Sequence, residues 1–308
     1  MNGFNLSDIT DAKFGNVQVS ELYFGSTKIW PLYHDYSKDY LTFKALENSV
    51  RFRWTDTNHD NSIYYSLDNG STWTQLTSGS STPTINTNEK IIFKAAGRQT
   101  LEGIGKFSSS GQFNVMGNIM SLAHGDNFIN NNTLNNYQFK RLFYDCYNLV
   151  NASNLILPAT TLTNYCYAQM FDSCTSLTTA PELPATTLAT HCYAQMFDSC
   201  TSLTTAPELP ATTLANHCYD DMFGECTSLT TAPELPATTL TDYCYEHMFK
   251  RCTLLNYVKC LATNISATGC LNNWLQNVSS TGTFVKDVNT TWPSGNSGIP
   301  VGWNIQNA

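Results

Sequence analysis

Apolar residues return along the C-terminal half of the chain at one fixed interval. The block PATTL begins at Pro158, Pro184, Pro210 and Pro236, a step of 26 residues. Cysteines keep the same step in two series, Cys166, Cys192, Cys218, Cys244 and Cys174, Cys200, Cys226, Cys252. The stretch Met170–Ala189 recurs without change as Met196–Ala215. A degenerate copy precedes it, in which Leu134, Tyr137, Leu142, Phe143, Cys146 and Leu149 align with Leu162, Tyr165, Met170, Phe171, Cys174 and Leu177. That copy is two residues longer, the extra pair lying near Leu155 and Ile156. After Cys252 the pattern decays through Leu255 and Cys260. Near-identity at such a step predicts stacked repeats, each burying its apolar face only against its neighbours.

Within one unit, Leu188, Cys192, Met196, Phe197 and Cys200 fall mostly three to four apart, which predicts one face of a helix of about two turns. Leu203, Ala206 and Leu209 alternate loosely with Thr204, Thr205, Pro207 and Glu208, a short irregular strand whose proline weakens its ladder. Pro210 and the threonines after it turn the chain into the next helix. Stacked parallel strands would rise about 4.8 Å per coil, so four or five coils make a rod of roughly 20–25 Å.

The N-terminal part has no repeat. Val17, Val19, Leu22, Phe24, Ile29 and Trp30 predict strands, with a hairpin turn at Gly25-Ser26. A hairpin this short does not fold alone, so residues 1–38 are expected to dock on a partner through Leu22, Tyr23, Phe24, Ile29 and Trp30. Residues 39–116 predict a small antiparallel sandwich with strands Leu41–Ala45, Val50–Trp54, Ile63–Leu67, Trp73–Leu76, Ile91–Ala95 and Phe107–Val115. It serves as a spacer or adaptor, or binds glycans.

The 308 residues leave room for two domains or three small ones. Only 13% are charged, about half the usual globular share, and the net charge is -8. Neutral Thr, Ser and Asn carry the polar balance, which suits strands and loops. The acidic balance argues against a nucleic-acid partner, since nothing would displace counterions along a phosphate backbone. No apolar run approaches the roughly 20 residues of a membrane span. The opening MNGFNLSDITDAKFG lacks a basic stretch followed by an apolar one, so no signal peptide is expected.

The run F-x-x-C-x-x-L, seen at Phe171, Cys174 and Leu177 and three more times, followed by L-P, resembles the BspA-type (treponemal) leucine-rich repeats of surface proteins of Bacteroidetes and their phages. The resemblance covers about residues 117–270. It departs in its longer coil and in the CYxxM segment that replaces the usual small-residue helix. The tail from Asn264 is similar to the segment that often follows such repeats, and Trp274, Leu275, Phe284 and Trp303 would then cap the stack. The opening segment is similar to those of virion proteins of Bacteroides phages. The resemblance implies a mixed α and β fold: a β-hairpin anchor (1–38), a small antiparallel β-sandwich (39–116), a right-handed leucine-rich-repeat solenoid of about five coils (117–262) and a C-terminal cap (263–308).

Candidate chemistry is sparse. Ser66-Leu67-Asp68-Asn69-Gly70-Ser71-Thr72-Trp73 matches the sialidase Asp-box, in that family a turn away from the catalytic site; it occurs once here, beside only five arginines. Eleven cysteines make an odd count, and eight of them sit in the repeat ladders. They read as small reduced core residues; disulfides between adjacent coils stay open, a spacing of about 4.8 Å allowing them and parallel side-chain directions opposing them. Zinc pairs two to four residues apart are missing, Cys166 and Cys174 being eight apart. His191 and His217 share a position with Tyr165 and Tyr243, as half-exposed aromatics would. No P-loop, dinucleotide fingerprint, HExxH or nucleophile elbow appears. The expectation is therefore no enzyme, no cofactor and no metal.

The surface that remains is repetitive: Thr178, Thr179 and Glu182, then Thr204, Thr205 and Glu208, then Thr230, Thr231 and Glu234. Stacked, these would present ladders of hydroxyls and carboxylates to glycans or proteins, with multivalency amplifying weak contacts. Together these features predict a phage structural or decoration protein, capsid- or tail-fibre-like, made in the host cytoplasm and carried on the virion. Its partners would be other virion proteins through the N-terminal segment, and host cell-surface or mucus glycans or proteins. A bacterial cell-surface adhesin is the alternative. Homo-oligomerisation stays open, since no heptad supports a coiled-coil trimer.

Overall fold

The computed structural model describes residues 35–56, 63–96 and 105–308, together with the backbone of four short strands nearer the N-terminus. The chain falls into two units, Met1–Tyr36 and Ser37–Ala308. In the first, β1 (Lys13–Phe14) pairs antiparallel with β2 (Val17–Gln18), and β3 (Leu22–Phe24) with β4 (Thr27–Trp30). Leu22 lies opposite Trp30 in that register and Phe24 opposite Thr27. The side chains of Leu22, Tyr23, Phe24, Ile29 and Trp30, the expected anchoring residues, lie outside the described residues.

The second unit opens with β5 (Leu41–Ala45), β6 (Phe52–Thr55), β7 (Ile63–Ser66), β8 (Thr74–Leu76), β9 (Lys90–Ala95), β10 (Lys106–Ser109), β11 (Phe113–Asn118) and β12 (Leu149–Ile156). Six of these form one sheet in the order β12-β11-β5-β9-β7-β8, antiparallel except where β12 joins β11. β6 and β10 pair separately. Phe43 of β5 ties the two sheets together: its ring lies 4.7–5.0 Å from those of Phe52, Phe93, Phe107 and Phe113, in the tilted and edge-on geometries aromatic quadrupoles favour. The single helical turn α1 (Ser121–His124) is pinned to the sheet by Ser121 Oγ, which donates to Phe93 O and accepts from Leu41 N, both at 2.9 Å. β12 already belongs to the first repeat, so sheet and repeats share one continuous buried core from Leu41 to Trp303.

The repeats do not form the expected mixed α and β leucine-rich-repeat solenoid. The described residues are almost entirely β, with scarcely any helix, and none of the sheets among them is solenoid-like. Among the described residues α1, which precedes the first repeat, is the only α-helix. Where helices were expected, residues 164–173, 190–199, 216–225 and 242–251 are unbroken runs of turns, preceded by one at 136–145 and followed by one at 268–277.

The physical reason lies in where the amides point. An α-helix sends every N–H four residues back along its own chain. In the run at 190–199, Cys192, Ala194, Met196, Asp198 and Cys200 donate three residues back, closing tight turns. The alternate amides of His191, Tyr193, Gln195, Phe197 and Ser199 donate instead to Asn216, Cys218, Asp220, Met222 and Gly224 of the next repeat, at 2.7–3.3 Å. Every fourth residue must then turn left-handed: His191, Gln195 and Ser199 have φ of 54–58°, and the same three positions recur in each run. That conformation costs roughly 1–2 kcal/mol per non-glycine residue. None of these positions holds Val, Ile or Thr, the residues for which it would be worst. On the opposite side the expected strands are reduced to single parallel bridges, such as Thr179 to Thr205 and Thr231 to Tyr257.

Like stacks on like inside. Phe143, Phe171, Phe197, Phe223 and Phe249 form one column with centroid steps of 5.4–5.6 Å. Phe139, Tyr167, Tyr193, Tyr219 and Tyr245 form another, at 5.8–6.1 Å, ending on Trp274. Cys174, Cys200, Cys226 and Cys252 each donate Sγ–H to the Phe carbonyl of the preceding repeat, Phe143 through Phe223, at 3.0–3.1 Å. A thiol fits there because it is small, apolar and still a weak donor. At the far end β13 (Tyr257–Cys260), β14 (Thr283–Lys286) and β15 (Asn304–Asn307) form a parallel sheet. Trp274 closes the core there against Phe284 and Trp292, donating Nε1–H to Gly298 O at 2.9 Å. Among the described residues no helix is long and apolar enough to cross a membrane.

All eleven cysteines are free and buried, and burial pushes their thiols up, Cys146 to about 12. A thiol reagent should therefore find almost none in the native protein and all eleven after denaturation. Phe197→Ala, opening a void in the ring column, is expected to cost about 3–5 kcal/mol in denaturant melts. Gln195→Gly should stay within about 1 kcal/mol of the parent, whereas Gln195→Val should lose about 1–3 kcal/mol; equal effects of the two would contradict the left-handed turn.

Candidate functional site

The inward residues of each repeat decide what faces out. Leu177, Leu203, Leu229 and Leu183, Leu209, Leu235 are buried, so the residues alternating with them are expelled. Thr178, Thr179, Glu182, Thr204, Thr205, Glu208, Thr230, Thr231 and Glu234 are all exposed, and the stacking brings them onto one face. Thr178 is anchored to the previous repeat, its N–H and its hydroxyl both donating to Val150 O, at 2.9 and 3.0 Å. Between two repeats on this face lies an open concavity of about 300 Å³, walled by Pro181, Pro184, Pro207 and Pro210 and bordered by Glu182 and Glu208. Glu234 lies beyond it and is held by Lys259 Nζ at 2.9 Å. Glu182 and Glu208 make no ion pair among the described residues. The concavity thus combines rigid apolar walls with two carboxylates able to accept hydrogen bonds.

The turn runs build a second, different face. Tyr137, Tyr165, His191, His217 and Tyr243 stack in a half-buried ladder with centroid steps of 4.3–4.8 Å, which accounts for the exchange of His and Tyr at this position. Beside it the repeats diverge. Ala168-Gln169 and Ala194-Gln195 become Asp220-Asp221 and then Glu246-His247. His217 Nδ1 lies 3.5 Å from Asp220 Oδ2, and His247 Nδ1 lies 3.4 Å from Asp221 Oδ2. Asp220 is pushed up to about 7 by burial and by the charges of Asp221 and Glu246. Asp198 is pushed up to about 7 by burial and by Asp172, Asp221 and Glu225. Two sets of three potential ligands have their donor atoms mutually within 4.8 Å: His191, His217, Asp220, and Asp220, Asp221, His247. Sequence reasoning passed over this cluster because it joins Asp220 and Asp221 to histidines of neighbouring repeats, His191 and His247, 26 or more residues away. The signal was the departure of YDDMF and YEHMF from YAQMF.

The Asp-box segment forms the turn between β7 and β8. Asp68 Oδ1 accepts from Ser66 Oγ at 2.7 Å and Thr72 N at 2.9 Å, and Oδ2 accepts from Thr72 Oγ1 at 2.7 Å. These bonds hold the Asp68 carboxyl down to about 2. Gly70, at φ 89°, supplies the positive φ the turn needs.

Comparison with protein-family models, curated proteins and solved structures found no match.

A carboxyl raised in the folded state holds a proton that the unfolded chain, at about 3.9, has already released. Asp198 therefore contributes stability below about pH 4 that is lost as pH rises through about 7. The melting temperature should fall across that window, and Asp198→Asn should flatten the fall. An unchanged pH profile in the variant would remove Asp198 from this role.

Proposed function

We propose that the protein is a non-enzymatic display protein. Its Thr, Glu and Pro face binds host-surface or mucus glycans, or proteins bearing similar hydroxyl donors, and its N-terminal unit fixes it among the proteins of a phage particle. The observation that carries this proposal is the concavity between Glu182 and Glu208. Proline walls present little to reorganise on binding, and two exposed carboxylates can accept from sugar hydroxyls or amines. Hydrogen bonds to charged groups contribute roughly 1.5–3 kcal/mol each. Recurrence of the Thr and Glu pattern in neighbouring repeats lets one extended ligand be held at several points. The separate N-terminal unit, with its own paired strands, supports an anchoring role distinct from the binding face.

The test is an array of host-capsule and mucin glycans probed with the whole chain, followed by affinity measurements on the best ligand. Glu182→Gln combined with Glu208→Gln should weaken that ligand at least tenfold without lowering the melting temperature. A blank array would count against glycan binding. Cryo-electron microscopy of intact particles would locate the chain on the virion or show that it is missing there.

A further inference from the structure

We propose that Asp220, Asp221 and His247, whose donor atoms lie within 4.8 Å of one another, form a three-ligand site for one divalent transition-metal ion of the zinc class, with His217 beside Asp220. Zinc bonds to imidazole nitrogen and carboxylate oxygen are about 2.0–2.2 Å, which places tetrahedral ligand atoms about 3.3–3.5 Å apart. The two imidazole-to-carboxylate separations here are 3.4 and 3.5 Å. Both exceed the usual 2.7–3.2 Å of an N–H to O hydrogen bond. Nδ1 of His217 is shielded from solvent yet makes no hydrogen bond among the described residues.

Charge points the same way. Asp220 and Asp221 are adjacent in sequence and half-buried, with Glu246 near Asp220 and with His247 and Lys250 near Asp221. Glu246 itself accepts from Asn272 Nδ2 at 2.9 Å and stands as a neighbour to the site. A bound cation would relieve that crowding. Imidazole donors favour the zinc group over calcium or magnesium, which take oxygen ligands. The eleven buried thiols do not compete while the protein is folded.

The repeats provide an internal control. Tyr219, Met222, Phe223 and Cys226 keep the residues found one unit earlier at Tyr193, Met196, Phe197 and Cys200. Divergence at Asp220-Asp221 and Glu246-His247 puts ionisable groups where the two preceding repeats have a buried alanine, Ala168 and Ala194, and a half-buried glutamine, Gln169 and Gln195. Packing gives no reason for it, whereas metal binding does.

The experiment titrates chelator-treated full-length protein with Co²⁺ and then Zn²⁺. Binding of one Co²⁺ per chain, with the visible absorption of tetrahedral nitrogen and oxygen coordination and displacement by Zn²⁺, is the expected result. Asp220→Ala with Asp221→Gln restores the Ala-Gln pair of the preceding repeat, so its fold should survive by circular dichroism; it should weaken binding at least 100-fold. His247→Gln likewise restores the residue of earlier repeats and should weaken it at least tenfold. Lys90→Gln, at an exposed position of β9, should change nothing. Three results would each overturn the site: absence of Co²⁺ and Zn²⁺ binding below millimolar, full affinity in both restoring variants, or a sulfur-to-cobalt charge-transfer band abolished by thiol blocking.

Discussion

The hydrogen bond from a turn in one repeat to the carbonyl beneath it in the next is the constraint from which the rest follows. Each run sends alternate amides across, five of them in the run at 190–199. That choice denies the run a helix and forces three residues per repeat into the left-handed region. Five bonds at roughly 0.5–1.5 kcal/mol net are of the same order as three left-handed residues at roughly 1–2 kcal/mol. The backbone is thus close to neutral by itself. What tips it is the burial that the bonds make compulsory, with Phe on Phe and Tyr on Tyr at one fixed step.

This arrangement separates two kinds of position. Columns facing inward must repeat, because any residue there touches its own equivalent above and below. Columns facing outward touch solvent and answer to no such rule. The Thr and Glu face nonetheless keeps its pattern, while the turn face changes sharply over two repeats. The regular Thr and Glu face is therefore informative, since the interior does not compel it, and so is the entry of Asp220 at a position where Ala168 and Ala194 are buried.

Much of this was legible in the sequence. The 26-residue step, the inward Leu, Phe and Cys, and the outward Thr and Glu follow from periodicity and alternation alone. The helix did not survive, and the reason is arithmetic. Cys192, Met196 and Cys200 are spaced by four and four, as consecutive four-residue turns require, whereas a helix repeats every 3.6; over two turns the two periods differ by less than one residue. The left-handed residues gave no warning because, Gly269 apart, side chains such as Tyr, Gln, Ser and His occupy them rather than glycine. The His and Asp cluster was hidden for another reason. His247 reaches Asp221 only through stacking, from 26 residues away, and ligand-spacing rules search for neighbours along one stretch of chain. The four prolines walling the concavity were visible as strand breakers, but that they enclose space depends on how two repeats abut.

The identity of Met170–Ala189 with Met196–Ala215 has a consequence for how the chain finds its structure. Two interchangeable layers offer no local means of counting, so a folding chain that skips one unit meets partners as good as the right ones. What lies beyond these two segments tells them apart: the sheet that accepts β12 at one end, and the divergent repeats, Trp274 and the parallel strands at the other. Correct assembly is therefore policed from the termini inward. The same tolerance means that a duplicated unit could be spliced into the middle and lengthen the molecule by one layer, with no new surface for the interior to reconcile.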